Sequence, residues 1–134
     1  MQPNKATAGA RLISVGTDIT EVARIEQLMQ RHHAFADEIF TLAERRYCDR
    51  KRYPQQHYAA RFAVKESVMK AVGRGWLQGI EWQDIETVVM PGGAPAVRAH
   101  GTLAAAMQQQ GIASFAVSLS HCRAYAIATV IALA

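Results

Sequence analysis

The chain has 134 residues, 50% of them hydrophobic and 19% charged, with a formal net charge of +4. That length supports one core without help from metal or disulfides, and the composition excludes both intrinsic disorder and a long coiled coil. The charge favours anionic partners but does not choose among nucleic acid, phosphorylated metabolites and acidic proteins.

The only cysteines, Cys48 and Cys122, form no C-x-x-C pair, so neither a zinc site nor a disulfide framework is expected, and free thiols suit a reducing cytoplasm. The first residues are polar and lack the apolar core of a signal peptide, and no apolar run reaches membrane-spanning length. The reading is a polar leader over 1–10 and a single domain over 11–134, cytoplasmic, with no membrane partner.

In chain order, Leu12 to Gly16 reads as a short buried strand with Asp18 just beyond it. Thr20 is the expected cap of the next helix, in which Val22, Ile25, Leu28 and Met29 recur at helical spacing as far as about His32, leaving Arg24 and Arg31 on its exposed face. Thr41-x-x-Glu44 is a capping-box pattern opening a short basic helix with Arg45, Arg46, Arg50, Lys51 and Arg52. Residues 55–73 predict a long helix closed by Gly73. It is apolar almost all round, the signature of a buried helix, yet carries Arg61, Lys65, Glu66 and Lys70. Two hairpins follow, one turning at 91–95 and one at 121–123, with a helix over 102–110 between them. The order of elements predicts an α+β domain, an antiparallel sheet with helices mainly on one side.

Three features could carry chemistry. Asp18 alone suits turn or cap chemistry as well as a site. Glu66 and Lys70 have the spacing of an ordinary surface pair, but beside Phe62 and Met69 a carboxylate needs a cation, a donor or a metal. His121 fits a structural hydrogen bond as readily as a ligand contact. Two carboxylates from separate elements suit Mg²⁺, which fills its remaining positions with water and phosphate oxygens; Lys and Arg nearby would balance phosphate charge.

Val15-Gly16-Thr17-Asp18-Ile19 with Arg24, then Arg61-Phe62-Ala63-Val64-Lys65-Glu66-Ser67, Lys70-Ala71-Val72-Gly73 and Ser118-Leu119-Ser120-His121 together resemble the holo-[acyl-carrier-protein] synthases, the short homotrimeric class of 4′-phosphopantetheinyl transferases. The resemblance runs from about Arg11 to Ala132. Ser67, Met69 and Cys122 stand where the family more often has Ala, Ser and Thr or another small residue, and Met69 bears on pocket shape.

The resemblance implies transfer of the phosphopantetheine arm from coenzyme A to a serine of apo acyl carrier protein in fatty acid biosynthesis. It further implies Asp18 and Glu66 on Mg²⁺, Glu66 as base, and Lys70, Gly73, His121 and one of Arg50, Lys51 or Arg52, with Arg52 preferred, at coenzyme A. Arg24 and Arg31 are expected at the carrier protein, and the sites at subunit interfaces of a trimer. A nucleic-acid-binding module would use the basic segment but leaves Glu66 unexplained and lacks interleaved aromatics beyond Tyr47 and Tyr53, so nucleic acid is not an expected partner. A non-catalytic carrier-protein scaffold would not need Asp18 and Glu66 together.

Overall fold

The computed structural model describes residues 9–134, so most of the expected leader lies outside the described residues. The elements are β1 (Leu12–Glu21), α1 (Val22–Arg31), α2 (Phe35–Ile39), α3 (Leu42–Asp49), α4 (Pro54–Val72), β2 (Ile85–Val89), β3 (Pro95–Ala99), α5 (Gly101–Gln110), β4 (Ser114–His121) and β5 (Tyr125–Leu133), with 3-10 turns at Trp76–Gln78 and Trp82–Asp84. Strands β1, β5 and β4 form an antiparallel sheet in that order, and β2 pairs with β3 in a separate ribbon whose β3 lies against β4. The α+β class and the long buried helix are as the sequence predicts.

Three local expectations need correction, one of them in α3, which ends at Asp49, so Arg50, Lys51 and Arg52 follow the helix rather than lie in it. The first strand does not stop at Gly16: β1 runs five residues further because it stays paired with β5 as far as Glu21 opposite Tyr125. Asp18 is therefore a strand residue, and Thr20 does not cap α1. The cap position is Glu21, and the Thr20 hydroxyl donates instead to Asp18 Oδ2 at 2.7 Å. The Thr41 capping box forms as expected, Thr41 Oγ1 accepting from Glu44 N while Glu44 Oε1 accepts from Thr41 N.

Of the 19 residues of α4, 13 are buried, so it is a spine with packing on nearly every side. Its N-terminal half packs with Val22, Ile25, Phe40 and Cys48 from α1, α2 and α3, and its C-terminal half with Ile85, Leu103, Val130 and Ala132. Helix and sheet meet without side chains between them at one point. A Cβ on Gly16 would lie 1.9 Å from the Ser67 carbonyl oxygen and 2.9 Å from the Ala71 nitrogen. Ala126 and Ala128 keep the neighbouring strand equally low, Ser14 Oγ donates to Ala71 O at 2.6 Å, and Ser67 Oγ lies 3.2 Å from Ala128 O.

The buried charge at Lys65 has a partner that spacing alone does not reveal. Lys65 Nζ meets Glu44 Oε1 at 2.8 Å with both side chains fully buried, and donates also to the carbonyls of Trp82 and Ile85. The other Glu44 oxygen accepts from Thr87 N at 3.1 Å. One ion pair thus ties α3, α4 and β2 together, with its remaining hydrogen-bonding capacity satisfied by backbone.

Among the described residues, nothing covers the opposite face of the three-stranded sheet. Val15, Ile19 and Ile127 are exposed there, 60%, 64% and 45% of their surface accessible, and rows Val15–Ile131–Ala116 and Ile19–Ile127–Ser120 alternate with a hydroxyl row of Thr17, Thr129 and Ser118. No helix among the described residues is long and apolar enough to cross a membrane.

Replacing Gly16 with Ala places a methyl group inside the backbone of α4, so strand and helix must separate. Gly16→Ala is expected to cost at least ~3 kcal/mol, read as a lowered denaturant midpoint, whereas Gly92→Ala, where the added Cβ meets open space, stays near wild type.

Candidate active site

The Gly16 contact sets the register of α4 on β1 and so decides what stands next to it. Asp18, two residues on and on the same face of the strand, faces the helix where Glu66 and Lys70 project. Lys70 Nζ donates to Thr17 O at 2.9 Å and lies 3.3 Å from Asp18 Oδ1. The cation of the expected Glu66–Lys70 pair therefore leans to Asp18 across the interface. Lys70 remains half exposed while the Asp18 side chain is only 16% exposed, leaving the ammonium free to reach a ligand anion.

Glu66 is half-buried, and among the described residues no hydrogen bond or ion pair reaches its carboxylate. Burial first, then the negative charge of Asp18, pushes its pKa above the ordinary carboxylate value, against the pull of Lys70 and Arg24. Two acids that repel each other, one lacking a donor, form a hard-oxygen pair suited to a divalent cation. The donors are too few for a site made of protein alone, since among the described residues no cluster of three His, Cys, Asp or Glu exists. That fits Mg²⁺, which takes one or two carboxylates and completes its octahedron with water and substrate phosphate.

From Lys70 a cleft of about 340 Å³ runs past Gly73 to Met69, Trp76 and Leu77. Gly73 ends α4 in the left-handed conformation, φ 70°, and has open space where a Cβ would stand, so a ligand can approach the helix end closely. Beside it Arg74, absent from the sequence expectations, is held by Gln109 Oε1 at 3.0 Å.

The expected phosphate contacts His121 and Arg52 do not join this cleft, and His121 sits at the other end of the helix. His121, the last residue of β4, lies 2.9 Å from Gln56 Oε1 through Nδ1, ten residues or ~15 Å along α4 from Glu66. The ring of His57 stands edge-on to His121 at 4.7 Å and to Tyr47 at 5.9 Å. The Arg61 guanidinium covers Tyr47 at 3.9 Å, and Arg61, Arg50 and Thr87 line a cleft of about 190 Å³. Arg61 Nε and Thr87 Oγ1 are buried there without a partner. Arg61 is the residue the sequence reading left unassigned; its signal was a guanidinium on an otherwise buried helix. Arg52 instead lies over the ring of Tyr53, 5.3 Å from its centre.

One chain thus carries two half-sites, an acidic one with Lys70 at the C-terminal part of α4 and a cationic one with His121 at its N-terminal part. Arg24 is exposed on α1 and close enough to Glu66 to lower its pKa, so it stands at the mouth of the acidic half-site. Arg31 is exposed two turns further along α1.

The family model described as the 4′-phosphopantetheinyl transferase superfamily matches residues 14–130. The holo-[acyl-carrier-protein] synthase of Koribacter versatilis is 43% identical over 121 residues, 90% of this chain and 97% of that protein. Among solved structures, holo-[acyl-carrier-protein] synthase from Neisseria meningitidis superposes with a TM-score of 0.83 at 30% identity, covering 91% of this chain and 98% of that one. The Helicobacter pylori enzyme, solved in complex with coenzyme A, gives 0.77 at 29% identity, covering 88% and 98%.

A raised folded-state pKa means that ionised Glu66 opposes folding. The stabilising contribution of the neutral form is full below the unfolded-state pKa and is lost as pH rises through the folded-state value. Glu66→Gln should therefore melt above wild type at pH 7, with the gap closing as pH falls through the ordinary carboxylate range. Millimolar Mg²⁺ should raise the melting temperature of wild type and not that of the variant. Calorimetry showing Glu66→Gln less stable at pH 7 would contradict this electrostatic account.

Proposed function

The chain belongs to the 4′-phosphopantetheinyl transferase superfamily and, within it, to the holo-[acyl-carrier-protein] synthases, and on that premise we propose that it transfers 4′-phosphopantetheine from coenzyme A to a serine hydroxyl of apo acyl carrier protein, releasing adenosine 3′,5′-bisphosphate. The observation that carries this reading is the convergence of Asp18, Glu66 and Lys70 at the head of an apolar cleft. A pyrophosphate needs hard-oxygen metal ligands and a free cation, and its pantetheine arm needs a channel.

Asp18 and Glu66 would hold Mg²⁺, which when bound supplies positive charge against the pyrophosphate as the leaving nucleotide gains negative charge. Lys70, anchored on Thr17 O, holds its ammonium towards the phosphates. The serine oxygen attacks the β-phosphorus, the bond to the nucleotide half breaks, and Glu66 takes the hydroxyl proton directly or through a water. Arg24 at the mouth, with Arg31, meets the acidic surface of the carrier protein; such rim charges act chiefly on encounter. At the other half-site, Arg61, Arg50 and His121 offer cations for the 3′-phosphate, and the unpartnered Arg61 Nε favours Arg61 with Arg50 over Arg52 there.

His121 stands ~15 Å along α4 from Glu66, and we infer that the complete site combines the acidic half of one copy with the cationic half of another. The uncovered apolar face of β1, β5 and β4 supports such association, as a homotrimer, and it borders His121 through the cleft shared with Ile19 and Ile127. We place this activity in the cytoplasm, in support of fatty acid biosynthesis, on a single domain over 11–134.

Incubation with coenzyme A, Mg²⁺ and apo acyl carrier protein should add the mass of one phosphopantetheine arm to the carrier protein. Asp18→Asn and Glu66→Gln should each lower the turnover by roughly two to three decades, the loss of ~3–4 kcal/mol of transition-state stabilisation, with the fold retained by circular dichroism. Near-normal transfer by both variants at limiting Mg²⁺ would rule out the acid pair as the metal site. Arg24→Glu should raise KM for carrier protein and flatten its salt dependence while coenzyme A affinity holds; unchanged kinetics across salt concentrations would move the docking face off α1.

A further inference from the structure

His121 is held by more than its strand. Its Nδ1 lies 2.9 Å from Gln56 Oε1, and an amide oxygen only accepts, so Nδ1 carries the proton and Nε2 is the nitrogen left to face a ligand. The ring of His57, on the next residue of α4, stands edge-on at 4.7 Å, and Tyr47 in turn backs His57. Both contacts come from the first turn of α4, the element that also carries Arg61 and, further along, Glu66.

Building on the proposed assignment of His121 to the donor's phosphates, we propose that Gln56 and His57 are positioning residues for His121: Gln56 fixes the proton on Nδ1 and turns Nε2 outward, and His57 braces the ring in that orientation. Neutral His121 with its proton pinned to Nδ1 presents a lone pair to a phosphate oxygen, and only the imidazolium presents an Nε2–H. Gln56 thereby makes His121 a phosphate donor that works only when charged, which couples coenzyme A binding to protonation at this ring.

The neighbouring ring does not compete for that proton. The titratable groups facing it are His57 from α4 and, in the cleft at the β4–β5 turn, Cys122 and Tyr125; Ile19, Ile127 and Ser120 complete that cleft. Burial, followed by the charges of His121, Arg61 and Lys51, lowers the His57 pKa to about 4, so near neutral pH His57 is uncharged and adds no competing proton. The Cys122 thiol pKa is lowered by the backbone N–H groups of Tyr125 and Ala124.

The test uses the full-length protein and coenzyme A. Long-range ¹⁵N–¹H spectra of neutral His121 should show the Nδ1–H tautomer in wild type and a mixture in Gln56→Met. Titration calorimetry from pH 5.5 to 9 should show wild-type affinity for coenzyme A falling as the His121 imidazolium loses its proton. Gln56→Glu, whose carboxylate favours the imidazolium, should move that fall up by about one pH unit. Gln56→Met and His57→Ala should each weaken binding by roughly five- to tenfold, and His57→Phe, which keeps the brace, should restore it. A wild-type Nε2–H tautomer, or a Gln56→Glu profile that does not shift while His121→Ala still weakens binding, overturns the positioning role alone. Unchanged coenzyme A affinity in His121→Ala overturns the donor assignment on which the proposal rests.

Discussion

At Gly16 the backbone of β1 touches the backbone of α4, and the positions of the site residues follow from that contact. A helix resting on a sheet through large side chains can slide or tilt while remaining well packed. A helix whose Ser67 carbonyl occupies the space of a missing Cβ cannot, and the serine hydroxyls on either side, from Ser14 to Ala71 O and from Ser67 towards Ala128 O, hold the same register. The register delivers Asp18 to Lys70 and half-buries Glu66 near that acid, and burial first, then the like charge of Asp18, raises the pKa of Glu66. The resulting electrostatic tension, which the proposed cation would relieve, is a local conflict of the kind that marks function rather than stability.

The same helix explains why the site is divided. A 19-residue helix is ~28 Å long, and α4 is buried along most of it, so its exposed chemistry is confined to its two end regions. Glu66 and Lys70, beside Asp18 of β1, take one end; Gln56 and His57, beside His121 of β4, take the other, and the buried Arg61 lines the cleft next to them. The buried Lys65–Glu44 pair lies between them and fixes α3, which bears Tyr47 and leads into Arg50, against α4. The placement of α3 beside the cationic half-site is thus secured in part by this ion pair. Beyond the helix, the exposed row of Val15, Ile19 and Ile127 is the apolar surface through which the proposed association would bring the separated halves together.

Most elements were legible in the sequence because their signals are local. The α4 pattern ended at a glycine, the Thr41–Glu44 box had its two partners three residues apart, and both hairpins had alternating strands around turn residues. The start of α1 was misread because Thr20 is a good cap in isolation, whereas continued pairing with β5 kept it in the strand and left its hydroxyl to orient Asp18. The short α2 carries too few residues for a periodic signal. Asp18, Glu66 and Lys70 could be picked out because charge on a buried helix demands a partner. Arg61 announced itself in the same way, but its unpartnered Nε and the cleft shared with Thr87 depend on β2 packing beside α3, a long-range contact no local pattern encodes. The partner of Lys65 stayed hidden for the same reason, since Glu44 was already accounted for as a cap.

The central claim is that the working site joins the acidic half of one chain to the cationic half of another, and subunit mixing tests it most directly. Glu66→Gln and His121→Ala, each impaired alone, are unfolded together in equal amounts, refolded and assayed for transfer to apo acyl carrier protein. Random assembly of copies leaves both halves intact at roughly a quarter of the interfaces, so the account predicts recovery to about a quarter of wild-type activity. Activity no greater than the mean of the two variants refolded separately, with mixed oligomers verified by mass spectrometry, would contradict it.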